Sequence, residues 1–356
     1  MLTDDCSWYL FDPPQIQAMT ELAHALRHLI KEKGPISVAD YMAYCLGAPE
    51  HGYYRKKDPL GKEGDFITAP EISQVFGEVI GAWLIDQWIR LGKPNPFILL
   101  EAGPGRGTLM ADILRIAKAV PEFLDSMQLY LLEQNQALRA KQAEKLSVYN
   151  PKWIEDISIP DLPLFFIANE FFDAMPLTQY VKTGNEWVER RIGLNKEDEF
   201  IFIPASGDIL ERNLTSETAI HQLAEHIKKH AGVALIIDYG YTRPQLGDTL
   251  QAVQSHQKVS IFHQPGLSDL TFHVDFGALE EAAGKQGVNL CPILSQGEFL
   301  KNFGIETRTQ KLMEKATPQQ AELLKSGTQR LIDPKQMGEL FKVLIFGYDK
   351  RHAASQ

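Results

Sequence analysis

The chain has 356 residues, 44% of them hydrophobic and 23% charged, with a formal net charge of −10. That length holds one large domain or two modest ones, the composition is that of a soluble globular protein, and the acidity argues against a broad nucleic-acid-binding face. No apolar run approaches the ~20 residues needed to cross a bilayer, and the acidic start MLTDDCSWYLFDPP has no signal or transit pattern, so we expect a cytoplasmic protein, not embedded in a membrane, whose scattered Cys6, Cys45 and Cys291 are reduced and buried.

From Gln15 to Lys33 apolar residues recur at helical spacing, and Gly34-Pro35 stops the run. Ser37, with Asp40 three residues on, opens a second helix that ends at Gly47. Residues 49–70 form a long loop rich in glycine, proline and charge, with Tyr53, Tyr54 and Phe66 in it; a loop of that length is usually functional or disordered, and the aromatics argue against disorder. Glu71 to Leu91 carries a wide apolar stripe and reads as one helix.

The next stretch, FILLEAGPGRGT at 97–108, organises the rest. Phe97–Leu100 reads as a strand buried on both faces, ended by Glu101. Gly103, Gly105 and Gly107 alternate with Pro104 and Arg106, and Thr108 stands as the N-cap of a helix carrying Leu109, Ile113, Ile116 and Val120. Such a turn lets a ligand approach the main chain and presents free N–H groups. The spacing is G-x-G-x-G, whereas the dinucleotide fingerprint is G-x-G-x-x-G. A carboxylate at Glu101 would repel a pyrophosphate and attract a cation. S-adenosylmethionine has no phosphate and carries a sulfonium and an ammonium, so electrostatics favours it over NAD. The same residues would also serve as a plain strand-to-helix turn.

Leu129–Leu132 is a second short strand, ending in Glu133, one βαβ unit beyond the turn. A carboxylate there can accept from both ribose hydroxyls, or can simply be solvated. Gln136–Leu146 follows as a helix, and Leu164–Ala168 as another buried strand leading into NEFFDAMP at 169–176. Stretches at Thr178–Val181, Trp187–Ile192 and Phe200–Ile203 suggest an antiparallel addition. A helix near Thr218–His230 precedes the strand Val233–Ile237 and Asp238. Residues 242–272 are polar and irregular; Phe276–Gln286 reads as a helix, Val288–Leu294 and Phe341–Phe346 as the last strands. His221, His226 and His230 lie beside Lys228 and Lys229, a solvated face and not a metal site.

Alternation of strands and helices argues for an α/β sheet covered on both faces, where ligands sit beyond the strands' carboxyl ends. Glu101, Glu133, Glu170, Asp173 and Asp238 all fall at such ends. Glu170 and Asp173, beside Phe171 and Phe172, would make an acidic, partly apolar pocket suited to a guanidinium. The alternative is that Glu170 caps a helix and Asp173 is solvated.

GYY at 52–54, GDFITAPEISQVFGE at 64–78, EAGPGRGTLMADILR at 101–115, NEFFDAMP at 169–176 and DYG at 238–240 resemble the MidA-type methyltransferases, as do DLTFHVDF at 269–276, FLKNFGI at 299–305 and MGELFKVL at 337–344. That family includes the mitochondrial assembly factor of respiratory NADH dehydrogenase, and the likeness runs from about Ile36 to Tyr348. The resemblance implies a seven-stranded Rossmann-like S-adenosylmethionine methyltransferase fold with an inserted substrate-side subdomain and N-terminal helices. The expected division is a helical region with a cofactor-covering loop at 1–92, a methyltransferase core at 93–176 and 231–356, and an insertion at 177–230. It further implies protein arginine methylation to symmetric ω-dimethylarginine on a subunit of the respiratory dehydrogenase; a homodimer is left open. The expected cofactor contacts are Glu101, Gly103, Pro104, Gly105, Gly107, Thr108 and Glu133, with Phe66, Thr68 and Pro70 on the covering loop. Asn169, Glu170 and Asp173 are the expected catalytic residues, and no metal is expected. The chain shows no import segment and so resembles a bacterial-type relative. A same-fold methyltransferase with another substrate, or a non-catalytic assembly factor, are the alternatives.

Overall fold

A computed structural model describes residues 19–56 and 68–353. Its central sheet is built from β1 (Phe97–Ala102), β2 (Met127–Leu132), β3 (Lys152–Ile154), β4 (Leu164–Asn169), β5 (Gly232–Tyr241), β6 (Asn289–Leu290) and β7 (Phe341–Tyr348), in the order β6-β7-β5-β4-β1-β2-β3. β3, β2, β1, β4 and β5 run parallel, and β7 lies antiparallel between β5 and β6. Two short pieces, Val274–Asp275 and Leu294–Ser295, pair at the flanks of β5 and β7.

The continuous apolar runs are explained by burial from both sides. Phe97, Leu99, Phe165, Ile167, Leu235 and Ile237 face one layer, whereas Ile98, Leu100, Phe166, Ala168, Ala234 and Ile236 face the other. The first layer holds α1 (Gln74–Arg90) and α2 (Thr108–Ala117), joined by Phe299, Ile305 and Leu331 from the helices between β6 and β7. α4 (Leu214–His230) and the helix Phe276–Gly284 cover the second. On the β3 side, α3 (Gln136–Leu146) connects β2 to β3. Each apolar side chain so buried stabilises by roughly 1.5–3 kcal/mol before the cost of ordering it.

A third cluster lies outside the sheet. The helices Glu21–Lys33 and Val38–Gly47 pack against Leu177, Ile192, Phe200, Ala252 and Leu270. Two small antiparallel sheets carry the last four of those residues, and a third begins at Thr178, right after Leu177; the three are drawn from 36–37, 178–212 and 251–271. The irregular segment after β5 thus contains strands, at Gln251–Gln254, Gln257–Val259 and Asp269–Thr271. Packing does not follow the chain positions 92 and 230, since both α1 and α4 belong to the layers of the central sheet.

Several elements differ from their expected limits. The run 71–91 is not one helix: Ala69–Ile72 forms a single turn, Ser73 turns extended at φ −156°, and its hydroxyl caps α1. α2 ends at Ala117, and Pro121 starts a separate helix before β2. The strand expected at 288–294 is two fragments, Asn289–Leu290 and Leu294–Ser295, separated by Cys291-Pro292-Ile293. Cys45 is buried as expected, whereas Cys291 is exposed; Cys6 lies outside the described residues.

β1 continues through α2 to β2 and then β3 on one side, and the chain crosses back to place β4 on β1's other side. This is a topological switch point, with a crevice at the carboxyl ends of β1 and β4.

Candidate active site

A cleft opens at that switch point, the place where open α/β sheets bind their ligands. Its walls come from three stretches: residues between Glu101 and Leu109 at and beyond the end of β1, Asn169 and Glu170 at and beyond the end of β4, and Thr68, Pro70 and Glu71.

The glycine turn is required here by backbone geometry. Gly103, Gly105 and Gly107 have φ of 64°, 52° and 72°, the left-handed region that costs other residues about 1 kcal/mol or more. A Cβ at Gly103 would also stand 2.9 Å from Phe171 Cδ2. Two expectations are corrected at this turn. The N-cap of α2 is Gly107, because its left-handed backbone ends the turn; Thr108 is the first helical residue, and its hydroxyl donates to Glu71 Oε1 at 2.7 Å. Glu101 does not end β1, which runs on to Ala102, so its side chain is buried within the sheet.

Glu101 is consequently the least satisfied group of the site. Burial, together with the Glu133 charge, pushes its pKa up to about 8. Its Oε2 is buried and finds no hydrogen-bond partner among the described residues, and neither does Asn169 Oδ1. Both residues line the cleft. Two orphaned acceptors on one cleft wall call for a ligand that brings its own donors and positive charge. S-adenosylmethionine, with an ammonium and a sulfonium, fits that demand; a pyrophosphate does not.

Glu170 forms the far wall. Its backbone is left-handed, at φ 51°, in a residue that is not glycine, a strained setting of the kind that clusters at functional sites. Glu170 Oε1 accepts from Ala69 N and Asn169 Nδ2, each at 3.1 Å. Burial, added to by the Asp173 charge, pushes Glu170 up to about 7. The turn that carries it hangs on Asp238. Asp238 Oδ2 accepts from the consecutive N–H groups of Phe171, Phe172 and Asp173 at 3.2, 3.0 and 3.1 Å, and Oδ1 from Tyr239 N at 2.9 Å.

Not every expected residue reaches the cleft. Glu101, Gly103, Pro104, Gly105, Thr108, Thr68, Pro70, Asn169 and Glu170 line it; Phe66 lies outside the described residues. Asp173 is a correction: it is buried beneath the turn, where its Oδ2 accepts from Tyr239 OH at 2.6 Å, and burial raises its pKa. It shapes the charge around Glu170 without forming an open pair with it. Gly107 also stands off the cleft wall, packed over Gln142 and Leu146. Glu133 is half-buried just beyond the wall, its Oε1 accepting from Asn135 N at 2.8 Å.

Residues missed by pattern reading include Tyr239, Glu71 and Gln142. The last had a signal: Leu138, Gln142 and Leu146 fall four apart on the buried face of α3, so one amide interrupts an apolar stripe.

The full sequence matches the family model described as "Putative S-adenosyl-L-methionine-dependent methyltransferase" over residues 79–206 and 198–293. It is 34% identical over 368 residues to the protein arginine methyltransferase NDUFAF7 homolog, mitochondrial, of Drosophila melanogaster, which spans 91% of this chain and 84% of that relative. NDUFAF7 of Rattus norvegicus, also named mitochondrial, is 34% identical over 388 residues, 97% of this chain and 88% of its own. A crystal structure from Burkholderia thailandensis bound to S-adenosyl-homocysteine superposes with a TM-score of 0.79 at 28% identity, covering 92% of each chain.

Proposed function

The chain belongs to the S-adenosylmethionine-dependent methyltransferase family matched above, and from that premise we propose that its methyl acceptor is a guanidinium nitrogen of a protein arginine. It is an enzyme of the Rossmann-like methyltransferase fold, and S-adenosylmethionine is its cofactor. When bound, that cofactor supplies an electrophilic methyl group on sulfur. Glu101 and Asn169 would hold its charged end, and the turn at 103–107 its close approach to the main chain, with Thr108, Thr68 and Pro70 alongside. Glu133 would accept from the ribose hydroxyls.

The observation that carries the acceptor is Glu170: a carboxylate on the cleft wall, pushed up to about 7 by burial and the Asp173 charge. A guanidinium satisfies such a group with two parallel N–H bonds. Holding the cation on one side leaves the remaining nitrogen free to be aimed. Asp173 and Asp238 keep the surroundings acidic from below. A carboxylate titrating near neutrality is also suited to take the proton the acceptor gives up.

The relatives' names support arginine as the target. The narrower reading, symmetric ω-dimethylarginine on a subunit of respiratory NADH dehydrogenase, draws on the family resemblance. The cytoplasmic address belongs to the same reading, against the mitochondrial naming of the relatives; among the described residues no helix is long and apolar enough to cross a membrane. A homodimer is left open by that reading, and light scattering of the purified chain decides it directly.

The test is methylation of peptide arrays, read by mass spectrometry at residue level. Methylarginine is the expected product; methyl groups on lysine or a carboxylate would overturn the reading. Glu170→Gln should bind S-adenosylmethionine as wild type while turnover falls by about 10²–10⁴-fold. Unchanged turnover would remove Glu170 from the acceptor site.

A further inference from the structure

We propose that Gln142 is a positioning residue for the cofactor, its amide clamping the glycine turn after β1 to the carboxylate after β2. The inference rests on reading the 103–107 turn and Glu133 as cofactor contacts, and it assigns what holds the two in register.

The Gln142 side chain is fully buried on α3. Its amide makes three hydrogen bonds. Oε1 accepts from Trp153 Nε1 at 2.7 Å, and Nε2 donates to Gly105 O at 2.7 Å and to Glu133 Oε2 at 3.2 Å. Trp153 decides which way the amide faces, because an indole N–H can only donate and must meet the oxygen. The NH₂ is therefore turned toward two acceptors, one on each of the two loops that would meet the cofactor.

The consequences differ on the two sides. Burial pushes Glu133 up in pKa, and the donors on its oxygens, Asn135 N and Gln142 Nε2, pull it back down. Gln142 thus eases the ionisation of Glu133 against its burial and leaves lone pairs on both oxygens for a diol. On the other side, the Gly105 carbonyl is drawn toward α3. In a trans peptide the C=O and the following N–H point in opposite directions, so the Arg106 N–H is sent away from Gln142. Gly105 and Arg106 line the cleft and Gln142 does not, so the link holds the turn from behind. Gly107 packs on the same side chain, where an added Cβ would stand 3.4 Å from Gln142 Cγ. A hydrogen-bonding link behind the turn, more than bulk, is what the arrangement requires.

The test is a double-mutant cycle on S-adenosylhomocysteine affinity, measured by calorimetry, with Gln142→Met (near-equal volume, no amide) and Glu133→Ala. Each single variant should weaken binding about tenfold, the effect of one hydrogen bond to a charged group. The double variant should be at most about threefold weaker than the weaker single, because both act through one link. Wild-type affinity in Gln142→Met with weak binding in Glu133→Ala would overturn the proposal. So would losses that multiply to about a hundredfold, which would mark Gln142 as packing only. Wild-type affinity in Glu133→Ala would instead show that the ribose reading of Glu133 is what failed. Should Gln142→Met not fold, Gln142→Glu keeps the shape and sets a second carboxylate against Glu133 and Gly105 O. Its affinity relative to wild type should then fall as pH rises, and a constant ratio would overturn the clamp.

Discussion

At the residue scale, Glu101 carries a definite pH signature. With its pKa pushed up to about 8, it holds its proton through most of the neutral range in the ligand-free protein. A cationic cofactor favours the carboxylate, so binding below that pH must release the proton. Affinity for S-adenosylmethionine should therefore rise with pH from about 6 to 8, by up to tenfold per unit, and level off above. Calorimetry in two buffers of different ionisation enthalpy should count close to one proton released at pH 6.5, and Glu101→Gln should abolish the release. A pH-independent affinity would mean that the cofactor's charge lies elsewhere. The carboxylate's place at the strand end was legible from EAGPGRG, but its burial was not. Sequence pattern put the strand's end at Glu101, whereas pairing with β2 and β4 carries the strand one residue further.

At the scale of elements, the turn after β4 depends on a side chain from another strand. Asp238, inside β5, gathers three successive N–H groups from residues 171–173, and this holds Glu170 in its left-handed backbone. Asp238→Ala leaves those donors without their acceptor in a buried place. We expect a loss of about 2–4 kcal/mol in urea unfolding, from several hydrogen bonds to one buried carboxyl group, together with reduced methyl transfer. A loss below about 0.5 kcal/mol would show that the turn holds itself. Local pattern could mark both ends of this interaction, NEFFDAMP and DYG, without joining them. The same limit explains the helix expected at 71–91: its apolar spacing is continuous through Ser73, yet the chain breaks there. Ala69 N–H donates to Glu170 and the Glu71 carboxylate accepts from the Thr108 hydroxyl, contacts that require 69–72 to stand apart from α1.

For the whole molecule, the acidic cleft should set the pH dependence of stability. Glu101 and Glu170 have folded-state values of about 8 and about 7, above the ordinary carboxylate range. The folded protein then holds protons that the unfolded chain has already lost. Their contribution is full below about pH 4.5 and is lost as pH rises through 7 and then 8. The ligand-free protein should thus melt at a lower temperature at pH 8.5 than at pH 7. Saturating S-adenosylmethionine should narrow the gap, since its positive charge compensates the carboxylates. Equal melting temperatures at the two pH values would mean that the cleft's charges are already balanced within the protein.

The sequence by itself determined the alternating α/β plan, the glycine turn, and acids at the strand ends, because each is written in local periodicity and in residues only a turn tolerates. Only the tertiary structure decided which acids share a cleft: Glu101 and Glu170 line it, while Asp173 turns under to Tyr239. It also joined the N-terminal helices to segments 177–212 and 251–271 in one layer. Those outcomes depend on strand order and on burial between distant parts of the chain. Neither has a period that a run of neighbouring residues can display.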